Sequence, residues 1–322
     1  MRYFIRSAEF KDIPEILALT QYFPLCSLPS NKSKLEEKIQ TSQESFNKTL
    51  KPFLRNYIFV LEDSKKKKVI GSSQILSYFG PNRSLCYFLE KKRAGSYLKI
   101  KQIIKGRHQI GGLILNPRYR KSKEVLGLQI GMARFLYIKT FPTDFSKTIE
   151  VSLTAPIQKT NNPFWQETGA KFLNKSYLSA LKAFQKNRKE FLRAFPKNLK
   201  IEIKKLSPQA QLCLSAVHSQ TLPAYKGLLK RGFHKSRYYH LLDGGIYLTA
   251  DWSKLPFLKS AQNLKIQYQN SINQEDHFIA QQTKKGFICV KAKAQKKGRN
   301  LILKKNSLLK EGKQALSLKF PF

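Results

Sequence analysis

The chain has 322 residues, 41% of them hydrophobic, with 22 Phe and 14 Tyr, enough apolar volume for two or three packed domains. Sixty Lys plus Arg against 20 Asp plus Glu give a formal charge of +40, a field that attracts polyanions. No segment approaches the ~20 uninterrupted apolar residues of a membrane span, and the charged opening MRYFIRSAEFKDIP is unlike an export signal, so a cytoplasmic protein with no membrane contact is expected.

In chain order, Phe4 and Ile5 begin a strand, and Ile13, Ile16 and Leu17 follow Asp12 at helical spacing. Asn31 or Ser33 can cap the next helix, which carries Leu35 and Ile39. Residues 57–62 (YIFVLE) and 69–76 (VIGSSQIL) are rich in β-formers and flank DSKKKK, a solvated hairpin turn. Strands are expected over 97–104 and 109–115, then an amphipathic helix over 125–138.

A second unit opens near Ile149 with the strand-like EVSLTAPI, followed by helices over 162–169, 178–195 and 207–217, the last with His218 at its C-terminal end. Residues 238–242 and 246–250 flank Asp243-Gly244-Gly245, a turn triplet. From Leu264 onward, short strands alternate with KKG, KKGRN and KEGKQ turns. This order predicts an α+β protein of mixed sheets divided as 1–145, 146–258 and a small β-rich piece over 259–322.

Cys26, Cys86, Cys213 and Cys289 are far apart and read as reduced, mostly buried thiols. His108, His234, His240 and His277 share no ligand spacing, so no metal is expected. The runs Lys65–Lys68 and Lys296–Arg299 fit solvated turns or, alternatively, parts of a phosphate-binding stripe on a nucleic-acid-binding protein.

Several blocks, taken together and in order, resemble the arginine N-succinyltransferase family of the acyl-CoA N-acyltransferase superfamily. They are Ser27 to Asn31 (SLPSN), Tyr57 to Ser64 (YIFVLEDS), Leu113 to Arg120 (LILNPRYR), Pro163 to Gln166 (PFWQ), the HSQT block at His218 with Pro223 and Ala224, and Leu241 to Gly245 (LLDGG). The resemblance implies two acyl-CoA N-acyltransferase-like units in tandem, succinyl-CoA as co-substrate, and transfer of its succinyl group to the α-amino group of arginine, a step of arginine catabolism. It also implies a homo- or hetero-oligomer with a related chain. Alternatives are a different amine acceptor, or a non-catalytic basic protein that binds nucleic acid or completes a partner subunit.

By the same resemblance, Leu113, Ile114 and Leu115 form the strand that presents the acyl-CoA, and Arg120, beside Arg118 and Lys121, lies where CoA phosphates sit. Gly127 is the retained half of a Gly-x-Gly whose other position here is Val125. His218 falls on the proton donor for the departing thiolate; read alone, it is a helix-end capping residue. Ser27 and Asn31 serve either the acceptor or helix capping. Glu150 is the one obvious acid left where a guanidinium needs carboxylates. Phe164 and Trp165 read as packing anchors.

Overall fold

The computed structural model describes residues 1–23, 27–77, 86–92, 97–103, 107–158, 160–196, 198–270, 275–283 and 286–320. Among them, the chain first forms β1 (Tyr3–Ser7), α1 (Ile13–Gln21), α2 (Lys32–Phe46), β2 (Asn56–Asp63), β3 (Lys68–Ser77), β4 (Cys86–Lys91), β5 (Tyr97–Ile103), β6 (His108–Leu115) and α3 (Leu126–Thr140). Next come β7 (Thr148–Ser152), α4 (Pro163–Glu167), α5 (Ala170–Leu173), α6 (Tyr177–Lys186), α7 (Arg188–Arg193), β8 (Lys200–Glu202), α8 (Pro208–Cys213), α9 (Leu222–Lys230), β9 (His234–Tyr239) and β10 (Ile246–Asp251). The remaining elements are α10 (Pro256–Lys259), β11 (Gln262–Tyr268), β12 (Glu275–Thr283), β13 (Gly286–Lys297), β14 (Asn300–Leu303) and β15 (Gln314–Lys319).

The chain divides into two compact units, one of Met1–Ser77, His108–Lys147 and Asp251–Phe322, the other of Tyr78–Arg107 and Thr148–Ala250. These bounds differ from breaks near 145 and 258 for a physical reason. Strands β4 and β5 hydrogen-bond to β9 and β8 and so fall in the second unit. The β-rich tail pairs through β13 with β1, Phe4 opposite Val290, and so falls in the first.

In the first unit, β1, β2, β3 and β6 run antiparallel in that order. Alternation along β2 sends Ile58 and Val60 to one face, where they pack with Ile13, Ile16, Leu35 and Ile39 of the first two helices. Tyr57 and Phe59 take the other face, with ring centroids 4.8 and 5.6 Å from Tyr137 of α3. Each fully buried Ile, Leu or Phe side chain contributes about 1.5–3 kcal/mol of hydrophobic stabilisation. Arg6 on β1 donates to Asp12 at 2.7 Å and to Glu62 at 2.8 Å, tying the start of α1 to the sheet. Strands β12, β15, β11, β14 and β13 pair in that order, and β12 pairs back to β13, closing a ring filled by Ile266, Ile279, Val290 and Leu303. The lysine runs 65–68 and 296–299 lie on exposed hairpin turns.

In the second unit the strand order is β7-β10-β9-β4-β5-β8. The single helix expected over 178–195 is two, because Asn187 stands at φ −144° and its side chain caps α7 by accepting from the Glu190 amide. The helix expected over 207–217 ends at Cys213. Asp243 is buried and holds the unit together: it accepts from the Gly245 amide at 2.9 Å, the Ala155 amide at 3.2 Å and the Tyr177 hydroxyl at 3.4 Å, and pairs with His240 at 2.8 Å. Burial opposes ionisation of this carboxyl, yet His240 and the amides outweigh it and keep its pKa low. Gly245 is required there, since a Cβ would stand 2.3 Å from the Leu153 carbonyl oxygen. Phe164 and Trp165 are fully buried, as expected of packing anchors. Cys213 and Cys289 are buried free thiols; Cys26 and the side chain of Cys86 lie outside the described residues.

His108, at the start of β6, accepts the Ser146 amide on Nδ1 at 3.0 Å and packs edge-on against Phe145. Burial pushes its pKa down to about 4, whereas in the unfolded chain it titrates near ~6.5. The folded state therefore binds fewer protons, and stability present above pH ~6.5 is lost as pH falls toward 4, by roughly 3 kcal/mol in total. Chemical denaturation at pH 7 and pH 5 should show His108→Asn losing about 2 kcal/mol less between the two pH values than the parent; an equal loss would exclude this histidine as the source.

Candidate active site

The strand expected to present an acyl group is interrupted where that role needs it. The β3–β6 ladder pairs Ser72 with Ile114 and then Gln74 with Gly111, so Gly112 and Leu113 together face Ser73 as a bulge. Gly112 stands at φ +56°, a conformation glycine adopts without the Cβ penalty. Its amide donates to Ser27 Oγ at 3.0 Å and its carbonyl accepts from Ser72 Oγ at 3.1 Å, so two hydroxyls replace the missing ladder bonds. The Gln74 amide nitrogen also donates to Ser27 Oγ. Ser27 thus braces the bulge, and the structure brings it together with the strand of Leu113, Ile114 and Leu115.

The bulge fixes where the side chains point. Leu113 faces α3, its Cδ2 3.9 Å from where a Cβ on Gly131 would be, while Ile114 packs among the α1 and α2 core residues. Beneath Gly111 lies a residue that composition and motifs did not single out: Arg134 of α3, only 4% exposed. It donates from Nε to the Gly131 carbonyl at 3.0 Å and from an Nη to the Gly111 carbonyl at 3.2 Å. Its signal in the sequence was a lone cation within IGMARFLYI, a run otherwise without charge.

After Leu115, Asn116 caps a short turn by accepting from the Arg118 amide, and Arg120 folds back to donate to the Leu115 carbonyl at 3.3 Å. Arg118, Arg120 and Lys121 are exposed. The first amides of a helix lack partners within the helix and carry the positive end of its dipole, which at α3 makes the segment entering Leu126 and Gly127 suited to phosphate. A Cβ on Gly127 would meet only Leu115 Cδ2 at 3.8 Å, an ordinary contact, so packing does not demand glycine there. Val125, where the sequence pattern expects glycine, stands in the left-handed conformation at φ +46° and is 44% exposed. A β-branched residue there is strained.

The remaining sites expected from sequence divide. Asn31 is the N-cap of α2, accepting from the Lys34 amide at 3.2 Å. Glu150 on β7 is buried and ion-paired to Arg107 at 2.5 Å; burial raises its pKa and Arg107 only partly offsets this. His218 does not end a helix. It precedes the turn into α9, with its amide on the Thr154 carbonyl at 2.8 Å and its Nδ1 accepting from the Gln220 amide at 3.2 Å. That hydrogen bond assigns the ring proton to Nε2, and partial burial lowers its pKa, so the neutral ring presents an N–H donor. Ser27 and the strand 113–115 belong to the first unit, Glu150 and His218 to the second. Among the described residues no group of His, Cys, Asp and Glu could hold a metal, and no helix is long and apolar enough to cross a membrane.

Comparison with known proteins gives this geometry its context. The family described as arginine N-succinyltransferase beta subunit matches residues 3–256. The chain belongs to this family. It is a family of acyltransferases, and curated relatives carry the same enzyme's name. The arginine N-succinyltransferase of Photorhabdus laumondii is 27% identical over 285 residues, covering 84% of this chain and 82% of that protein. The one from Yersinia enterocolitica is 25% identical over 276 residues, covering 81% and 79%. Among solved structures, the arginine/ornithine succinyltransferase subunit AI of Pseudomonas aeruginosa superposes with a TM-score of 0.83 at 21% identity, covering 99% of this chain and 98% of that one. The mixed α/β fold of this family is thereby shared.

Replacing Val125 by glycine removes the left-handed strain without loss of packing, and should stabilise the protein by about 1 kcal/mol. Thermal denaturation of Val125→Gly against the parent measures it, and an unchanged or lower midpoint would mean that the segment before α3 is not strained.

Proposed function

We propose that this chain is an arginine N-succinyltransferase of the cytoplasm, transferring the succinyl group of succinyl-CoA to the α-amino group of arginine. Membership of the family across residues 3–256 carries the reading, and the braced bulge of β6 supports it. Each unit is proposed to be acyl-CoA N-acyltransferase-like, with the tail 259–322 as an accessory to the first.

The neutral amine attacks the thioester carbon; the C–N bond forms, the C–S bond breaks, and the proton shed by nitrogen balances the one taken up by sulfur. Leu113, Ile114 and Leu115 present the acyl group, and their backbone polarises the thioester oxygen. Arg120 and Gly127 take the phosphates, with the α3 N-terminus supplying amides. His218 hydrogen-bonds the departing sulfur through Nε2–H and aids its protonation. Ser27 acts indirectly by bracing Gly112, and Asn31 by fixing α2. Glu150 meets the acceptor only by sharing its carboxylate with Arg107. No metal takes part in this scheme. That the family is that of a beta subunit, and that the similar Pseudomonas aeruginosa protein is a subunit AI, support assembly with a second copy or a related chain. Exposed lysine turns of the kind found here are solvated, which leaves nucleic-acid binding as the disfavoured alternative.

Purified protein mixed with succinyl-CoA and arginine should release free thiol in proportion to arginine. His218→Ala should slow that release by about 100-fold, the low end of what a positioned proton donor contributes. Release with a different amine would move the acceptor. No release with any acyl-CoA and amine pair, from folded protein, would sink the activity; steeply salt-dependent binding to nucleic acid would then replace it.

A further inference from the structure

Arg134 is a cation placed where a cation is costly. It is 4% exposed, and among the described residues no carboxylate forms an ion pair with it. Two neutral carbonyls, Gly131 and Gly111, are its hydrogen-bond partners. Carbonyl dipoles satisfy donors but do not neutralise charge, and a buried guanidinium without a counter-ion is destabilising relative to an apolar residue of similar size. Burial pulls its pKa down to about 9, the response of a cation lacking an anion.

The guanidinium fork is only partly engaged. Both residues whose carbonyls hold it are glycines, and a Cβ on Gly131 would stand 3.6 Å from the Arg134 Nη2 and 3.9 Å from Leu113 Cδ2, so the free end of the fork and the Leu113 side chain share one neighbourhood. The guanidinium has five N–H donors in a planar fork that matches a carboxylate, and only two of its nitrogens are engaged by these carbonyls. Gly111 is two residues before Leu113 on the same strand, across the bulge at Gly112. A four-carbon diacyl group held at Leu113 by its thioester would end in a carboxylate in this neighbourhood, within reach of a charge-assisted hydrogen bond of about 2.8 Å.

We propose that Arg134 is the specificity residue for the free carboxylate of a dicarboxylic acyl group, donating to both of its oxygens beneath the β6 bulge. The inference rests on the activity proposed above and deepens it. Arg134 distinguishes succinyl from uncharged acyl groups of equal length, because an uncharged acyl terminus would leave the guanidinium buried and unpaired. Lysine retains charge but loses the fork, and glutamine loses the charge while keeping a donor.

The test is direct binding of succinyl-CoA and butyryl-CoA, four-carbon thioesters that differ in the terminal carboxylate, by titration calorimetry without amine. The protein, Arg134→Gln and Arg134→Lys are compared, with circular dichroism confirming that each variant is folded. The parent should prefer succinyl-CoA by about 30-fold or more, Arg134→Gln should lose that preference while holding butyryl-CoA equally well, and Arg134→Lys should fall between. A parent that binds both thioesters alike overturns the assignment and leaves acyl transfer standing. A preference that survives in Arg134→Gln, or a loss of both affinities by the same factor, also overturns it, because a purely structural arginine acts on both. A parent that binds neither thioester ends both this assignment and the proposed activity. Should Arg134→Gln be unfolded, the parent and Arg134→Lys still decide by whether the preference shrinks when charge is kept and geometry lost.

Discussion

The arrangement around β6 in the first unit depends on one short break in a β ladder. Where Gly112 and Leu113 face a single residue, backbone groups that would be spent on a neighbouring strand must find other partners. Ser72 and Ser27 satisfy Gly112 from side chains, and Arg134 takes the carbonyl of Gly111. A bulge so braced holds its backbone groups in place, which suits the proposed acyl transfer, because oxyanion stabilisation comes from donors already in place before the reaction. The glycines serve two ends at once: Gly112 permits the left-handed turn, and a bare Gly111 lets Ser27 Oγ approach the strand, since a Cβ on it would stand 2.8 Å from that oxygen.

Much of this was legible in the sequence, and the parts that were not have identifiable causes. The strands of YIFVLE and VIGSSQIL, the helix after Val125 and the turn at Asp243 follow from local pattern, because β-branched runs and helical periodicity act over a few residues. The long helices over 178–195 and 207–217 were overcalled because Asn187 and the segment after Cys213 carry local breaks that amphipathic periodicity does not register. The unit boundaries were illegible for a different reason: β4 and β5 pair with strands more than a hundred residues away, and no local pattern encodes a partner at that distance. At the site, family motifs pointed to the strand 113–115 and to His218, but not to the pairing of Glu150 with Arg107, nor to Arg134, which belongs to none of the matched blocks.

Two substitutions relative to the family pattern have different physical consequences. At Val125 a β-branched residue occupies the left-handed region that suits glycine, and the mismatch is felt as backbone strain. At Glu150 the acid is already paired with the guanidinium of Arg107, so an acceptor bearing a guanidinium, as proposed above, would compete with a resident one.

The pairing of β1 on one side with β2 and on the other with β13, Phe4 opposite Val290, has a consequence for biosynthesis. At about 5–20 residues per second, the ribosome reaches residue 290 tens of seconds after β1 has emerged. During that interval β1 and β2 can form only half of their sheet, with one edge unpaired and able to recruit other strands. The second unit, whose residues all lie between 78 and 250, is complete before the first can close. Nascent chains between those two points therefore carry the unpaired strand edge that the finished protein lacks.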